Sequence, residues 1–342
     1  MSSNRKHRLA SLVALGERLA SDSPEQQEVQ HRAQVLNPWF TQQNIERSIK
    51  AICEAYLTSS KLEPWSEKYA QSQGAKRTVG LILAGNIPLV GFHDLLCVYL
   101  SGHSAKIKYS SKDTVLMNYV INQLQDIDES AKQSITVVDR LKDYDAVIAT
   151  GSNNSGRYFE EYFAHVPHII RKNRNAIAVL TGSESKEDFL RLGEDIFSYF
   201  GLGCRNVSKL YVPEGYNFSP LLEALHDEYK EMVLHHKYKN NFDFNHALFM
   251  LNKEKFLMNG CLMVKEAKPI PSRIASVNYE YYSSRDLLAQ QLSQQLDDIQ
   301  CIVSDEPLGQ LAVMPLGQAQ QPTIADYADG VDTMKFLQAL YE

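Results

Sequence analysis

The chain has 342 residues, enough for two domains of ordinary size and a substantial buried core. Its composition, 44% hydrophobic and 22% charged, is that of an ordinary soluble protein, and a formal net charge of −6 argues against a broad nucleic-acid surface. No uninterrupted apolar run approaches the roughly 20 residues that a membrane span requires.

Residues 1–72 are polar and glutamine-rich, with Leu9, Leu12, Leu15 and Leu19 at helical spacing. The opening MSSNRKHRLASLVALGERLA carries charge but no long apolar run, so it reads as a helix and not as a signal peptide. The character changes at Val79. TVGLILAG is a short apolar run closed by glycine, as expected for a strand buried on both faces. FHDLLCVYLSG reads as a helix stopped at Gly102, SAKIKYS as the next strand, and Thr114 to Ile127 as a further helix. SITVVD, DAVIATG and NAIAVLTG are further strands, and SGRYFEEYFAH is a helix.

Strands that alternate with helices imply βαβ units and a mainly parallel sheet. Ser185 and Asp188 form a capping box for a helix that carries Phe189, Leu192, Ile196 and Phe200 on one face and stops at Gly201. KLYVP is a strand and FSPLLEALHDEYKEMVL a helix. Beyond it, CLMVKE, IASVNYEYY, QCIVSD and LAVMPL read as strands among helices. The fold class is therefore α/β, with a first domain over residues 1–172 and a second α/β domain over residues 173–320. Residues 321–342 form a tail for which a return to the first domain is open.

Five cysteines, Cys53, Cys97, Cys204, Cys261 and Cys301, are scattered with no CxxC pair. That pattern speaks against a disulfide framework or a zinc site and fits a reducing cytoplasm. His235, His236 and His246 have no metal-ligand spacing and read as surface or structural residues.

Four segments can carry chemistry. In GLGC, glycines flank Cys204 at a helix-to-strand loop and Arg205 follows; a cation nearby favours a thiolate, whereas most free cysteines are inert and buried. In AGNIPLVGF, Asn86 follows a buried strand. It is either a turn residue or the donor of an amide hydrogen bond to an oxyanion, and Pro88 opens a helix in the plain reading. In KIKYSSKD, Lys106, Lys108 and Lys112 make a solvated strand end or a phosphate and ribose contact. In ATGSNNSG, small residues precede a helix without a GxGxxG or Walker pattern, as a plain turn or a phosphate-holding helix start.

The order GNIPLVGF, KIK, IATGS and GLGCRNVSKLYVPEGY resembles the aldehyde dehydrogenase superfamily, and within it the acyl-CoA reductases of the LuxC type. The resemblance runs from about Gly80 to Gly215 and more weakly onward. It implies a parallel-sheet nicotinamide-nucleotide-binding domain and a catalytic domain bearing a nucleophilic cysteine. Residue by residue it implies Cys204 as nucleophile, Asn86 as oxyanion donor, Lys108 as the lysine on the cofactor ribose, and Gly151 and Ser152 as the phosphate loop. It further implies a fatty acyl-CoA substrate, NADPH with NADH still open, an acyltransferase or synthetase partner, and a homo-oligomer such as a dimer.

The chain departs from the superfamily in being shorter and in having no carboxylate within residues 167–179, where aldehyde-oxidising members carry a general-base glutamate. Glu160 and Glu161 are the nearest replacements, on an expected helix. Without a base to activate water, an acyl-cysteine thioester is set up for reduction and not for hydrolysis. Three other readings stand beside this one. They are an aldehyde dehydrogenase or a reductase of another activated acyl group, a cysteine acyltransferase or thioesterase with no nicotinamide step, and a non-catalytic nucleotide-binding relative.

Overall fold

In the computed structural model, which describes residues 3–70 and 74–341, the leucines of the first helix are buried along one stripe. That helix, α1 (Ser3–Ala20), packs with α2 (Pro24–Leu36), α3 (Gln42–Tyr56) and α4 (Ser59–Glu67). There follow β1 (Thr78–Ile82), α5 (Phe92–Ser101), β2 (Ser104–Lys108), α6 (Val115–Ile127), α7 (Glu129–Ser134), β3 (Ile135–Val137), β4 (Ala146–Thr150), α8 (Asn153–Phe163) and β5 (His168–Arg171). Contacts divide the chain into one compact unit of Met1–Asn173 with Pro322–Glu342 and another of Arg174–Gln321.

The first unit contains a fully parallel sheet in the order β3-β2-β1-β4-β5. β1 is its central strand, and the chain moves outward to β2 and β3 before returning to β4 on the other side. That reversal makes a topological switch point between β1 and β4, where open parallel sheets bind ligands beyond their carboxyl ends. Val79, Leu81, Val147 and Ile148 are buried because helices cover the sheet, which accounts for the near-continuous apolar runs.

The second unit holds β6 (Asn175–Val179), α9 (Lys186–Phe197), β7 (Val207–Pro213), α10 (Ser219–Tyr229), α11 (His236–Leu251), β8 (Phe256–Met258), β9 (Met263–Glu266), β10 (Ser276–Tyr282), α12 (Arg285–Ser293) and β11 (Ile299–Val303). Its sheet runs β11-β6-β7-β10-β9-β8, with only β8 antiparallel to its neighbour. The capping box at α9 forms as read. The Ser185 N–H donates to Asp188 at 2.8 Å, and the Asp188 N–H donates to the Ser185 hydroxyl at 3.2 Å.

Three expectations are corrected. LAVMPL is not a strand; Met314 makes only an isolated bridge to Val303. β5 and β8, both at sheet edges, were not expected; they are 4 and 3 residues long, too short for a period to show. Pro88 does not open a helix, because α5 starts at Phe92 with Gly91 at its N-cap.

The last helix, α13 (Thr333–Ala339), belongs to the first unit. The tail is fastened there by buried polar contacts. The Trp65 indole N–H reaches the Tyr327 hydroxyl at 3.1 Å, and His103 Nε2 lies 2.9 Å from the Leu337 carbonyl. Among the described residues no helix is long and apolar enough to cross a membrane.

Candidate active site

In the first unit, three of the segments singled out above meet along one edge of the sheet. β1 runs into Gly85 and Asn86, β2 ends on Lys108, and β4 runs into Gly151 and Ser152. Strand register places Ile82 beside both Lys108 and Ala149, so these three carboxyl ends are neighbours. Gly85 is needed for a close approach: a Cβ there would lie 2.6 Å from Ser110 Oγ. Asn86 is half-buried in the turn that follows.

The turn continues through Pro88 to Leu89, whose φ of 57° is left-handed. The Ser48 hydroxyl donates to the Pro88 carbonyl at 2.6 Å, and the Leu89 N–H donates to Asp113 Oδ2 at 2.7 Å. Burial pushes the Asp113 carboxyl up to about 7, against the pull of the Leu89 and Met117 N–H groups. The folded-state pKa is thus raised above the ordinary 3.8. A raised carboxyl favours the folded state while protonated. Its contribution is complete below the unfolded pKa and is lost as pH rises through about 7. Between pH 4 and pH 8 the wild type is therefore expected to lose stability relative to Asp113→Asn, by at most about 4 kcal/mol. Denaturant midpoints of the two proteins across that range measure it; parallel pH profiles would refute the assignment.

The three lysines of KIKYSSKD separate. Lys106 Nζ donates to the carbonyls of Lys142 and Asp143, both at 2.9 Å, and so braces a loop. Lys108 and Lys112 are exposed. Ser152 is the N-cap of α8, its hydroxyl accepting the Ser155 N–H at 3.2 Å. Glu160, on that helix, is ion-paired with Lys172 at 2.7 Å.

Cys204 lies in the second unit and is positioned by elements of that unit. Helix α9 ends at Phe197, and Tyr199, Phe200 and Gly201 then turn left-handed, with φ of 52°, 60° and 75°. Such angles are unfavourable for aromatic residues, and burial of both rings offsets the cost. Phe200 is thus buried as expected but stands outside the helix. A tight turn follows, closed by the Asn206 N–H to the Gly203 carbonyl at 3.2 Å, with Cys204 and Arg205 as its central residues.

Asn206, 2% exposed, locks this turn. Its amide N donates to the carbonyls of Asp195 (3.1 Å), Ile196 (3.2 Å) and Ser198 (2.8 Å), and its Oδ1 accepts the Gly203 N–H at 2.7 Å. One side chain thereby satisfies the orphan carbonyls at the end of α9 and fixes the residue before Cys204. A cavity of about 210 Å³ adjoins the turn, lined in part by Phe197, Phe200, Leu202, Asn206, Tyr238 and Arg273.

Cys204 is half-buried, as are Cys53 and Cys301; burial holds the Cys97 thiol far above its ordinary pKa and raises those of Cys53 and Cys261 to about 11. Cys53, Cys97 and Cys261 are suited to packing. Sequence reasoning did not single out Ser48, Asp113 or Asn206. Only Asn206 left a signal, as a small polar residue two positions after the cysteine in a glycine-rich turn.

The parallel sheet with its switch point, followed by a cysteine turn leading into the central strands of a second sheet, has the fold of the aldehyde dehydrogenases. Aldehyde dehydrogenase 21 from Physcomitrella patens, solved with its reaction product succinate, aligns with a TM-score of 0.69 at 13% identity, over 99% of this chain and 85% of that one. The Mycobacterium tuberculosis enzyme complexed with NAD+ aligns at 0.64 and 13%, over 89% and 73%. The NAD+ complex from Bacillus cereus aligns at 0.63 and 13%, over 89% and 72%. At sequence level, residues 15–221 match the acyl-CoA reductase (LuxC) family, and the chain belongs to that family. It is accordingly an enzyme, an aldehyde-related oxidoreductase. A comparison with curated protein sequences returns no match.

Proposed function

We infer that the enzyme reduces an acyl-CoA to an aldehyde through an acyl group carried on Cys204. The observation that carries this reading is the thiol's placement: half-buried, at the head of a turn locked by Asn206, in a chain of the acyl-CoA reductase family. In this reading the Cys204 thiolate attacks the thioester carbonyl. The Asn86 amide and the Cys204 backbone N–H donate to the oxyanion that forms. The bond from the carbonyl carbon to the CoA sulfur then breaks. CoA leaves as its thiolate, and the acyl group stays on Cys204 as a thioester.

A nicotinamide coenzyme, when bound, supplies the hydride that reduces this thioester to a thiohemiacetal. The Cys204 sulfur then leaves from the thiohemiacetal carbon, the hydroxyl proton is lost, and the aldehyde is released. The edge of the first sheet fits such a coenzyme. The switch point opens beside Gly85 and Gly151, the amino end of α8 is exposed for a phosphate, and Lys108 and Lys112 stand clear at the end of β2. Those two cations support NADPH, and family membership supports a fatty acyl chain. An acyltransferase or synthetase would supply the thioester.

Two observations favour reduction over hydrolysis. Residues 167–179 contain no carboxylate, and Glu160 is engaged with Lys172. The test is to incubate the protein with acyl-CoAs of graded length and to follow its intact mass. An acyl adduct on Cys204 is expected, discharged as free aldehyde on adding NADPH and more slowly with NADH. An adduct that persists with both nucleotides would overturn the reductase reading.

A further inference from the structure

The Pro88 carbonyl and the Leu89 N–H are the two ends of one peptide group, two residues beyond Asn86. Each end is held by a buried side chain from a different part of the chain: Ser48 on α3 at 2.6 Å, and Asp113 between β2 and α6 at 2.7 Å. Ser48 is 6% exposed, Leu89 2% and Asp113 3%.

We propose that Ser48 and Asp113 are positioning residues that aim the Asn86 amide by gripping the Pro88–Leu89 peptide from both ends. The inference rests on the reading of Asn86 as the oxyanion donor. Leucine disfavours the left-handed conformation it holds here, so this turn would relax without a restraint. A buried carboxyl is also an expensive way to close a loop that glycine or water could close. The loop bearing Asp113 is itself fixed. Asn37 Nδ2 donates to the Lys112 carbonyl at 3.2 Å, and Ser110 Oγ occupies the space that a side chain at Gly85 would fill. The clamp is thus braced against α2, α3 and the end of β2, and it hands that rigidity to the residue three positions before Leu89.

The test measures acyl transfer from acyl-CoA to Cys204 under single-turnover conditions, with steady-state kcat and KM alongside and thermal melting to confirm folding. Ser48→Ala is expected to slow acyl transfer about tenfold and Asp113→Ala about 100-fold, mainly in kcat with KM little changed, since misaimed donors act in the transition state. Asp113→Asn keeps an oxygen to accept the Leu89 N–H and should retain most of the rate. In an Asn86→Ala background, Ser48→Ala should cause no further loss, whereas a merely structural role would add its own. Folded Ser48→Ala and Asp113→Ala proteins with wild-type acyl transfer, while Asn86→Ala is impaired, would overturn the clamp and leave the reading of Asn86 standing. If Asn86→Ala itself transfers at the wild-type rate, that reading fails and takes the clamp with it.

Discussion

Cys204→Ala is expected to lower aldehyde formation from acyl-CoA by at least about 10⁴-fold and to abolish the acyl adduct. The size follows from the role. The alanine methyl cannot form the thioester. Stability should change by less than about 1 kcal/mol, because the side chain is half-buried and Asn206 holds the turn that carries it. The pair of measurements is therefore diagnostic: adduct mass with aldehyde yield on one side, the denaturant midpoint on the other. A thiol-directed reagent gives the complementary result. Cys204 should react ahead of Cys53, Cys97 and Cys261, which are held as thiols by burial. Labelling confined to the other four cysteines, or full activity in the alanine variant, would remove Cys204 from the mechanism.

Asn86→Ala should slow acylation of Cys204 by about 10²–10³-fold with little change in KM. The reason is differential binding. In the proposed mechanism the amide N–H meets an oxygen that becomes fully anionic only in the tetrahedral state, so its loss would be felt in the transition state more than in the bound substrate. Asn86→Asp should be slower still, since it keeps the shape while placing negative charge against the developing oxyanion. Rapid-quench measurement of the acyl-enzyme separates this step from the reductive one. An Asp variant as fast as wild type would show that Asn86 does not face the oxyanion.

Much of the fold was legible because its signals are local. Buried parallel strands such as β1, β4 and β6 appear as apolar runs closed by small residues, and the Ser185–Asp188 capping box is complete within four residues. LAVMPL misled for the same reason. Its apolar run has strand character, but Leu311 and Met314 find only isolated bridge partners. The five residues implied by the family resemblance were named from motif order, which is also a local signal repeated along the chain.

What the sequence by itself determined is thus the α/β class, the elements that carry the motifs and the family to which the chain belongs. Tertiary structure decided which side chains brace those motifs. Nothing near KLYVP indicates that Lys209 is fully buried, with its ammonium held by the carbonyls of Ala267 and Lys268 and by Glu280 at 2.8 Å. Nothing near Asn86 points to Ser48 or Asp113, which lie 40 and 24 residues from the peptide ends they hold. A hydrogen bond is set by distance and angle in space, and these are settled only when packed sheets and helices bring remote segments together. Propensity and period act along the chain, so they could place the chemical groups but not the clamps that hold them.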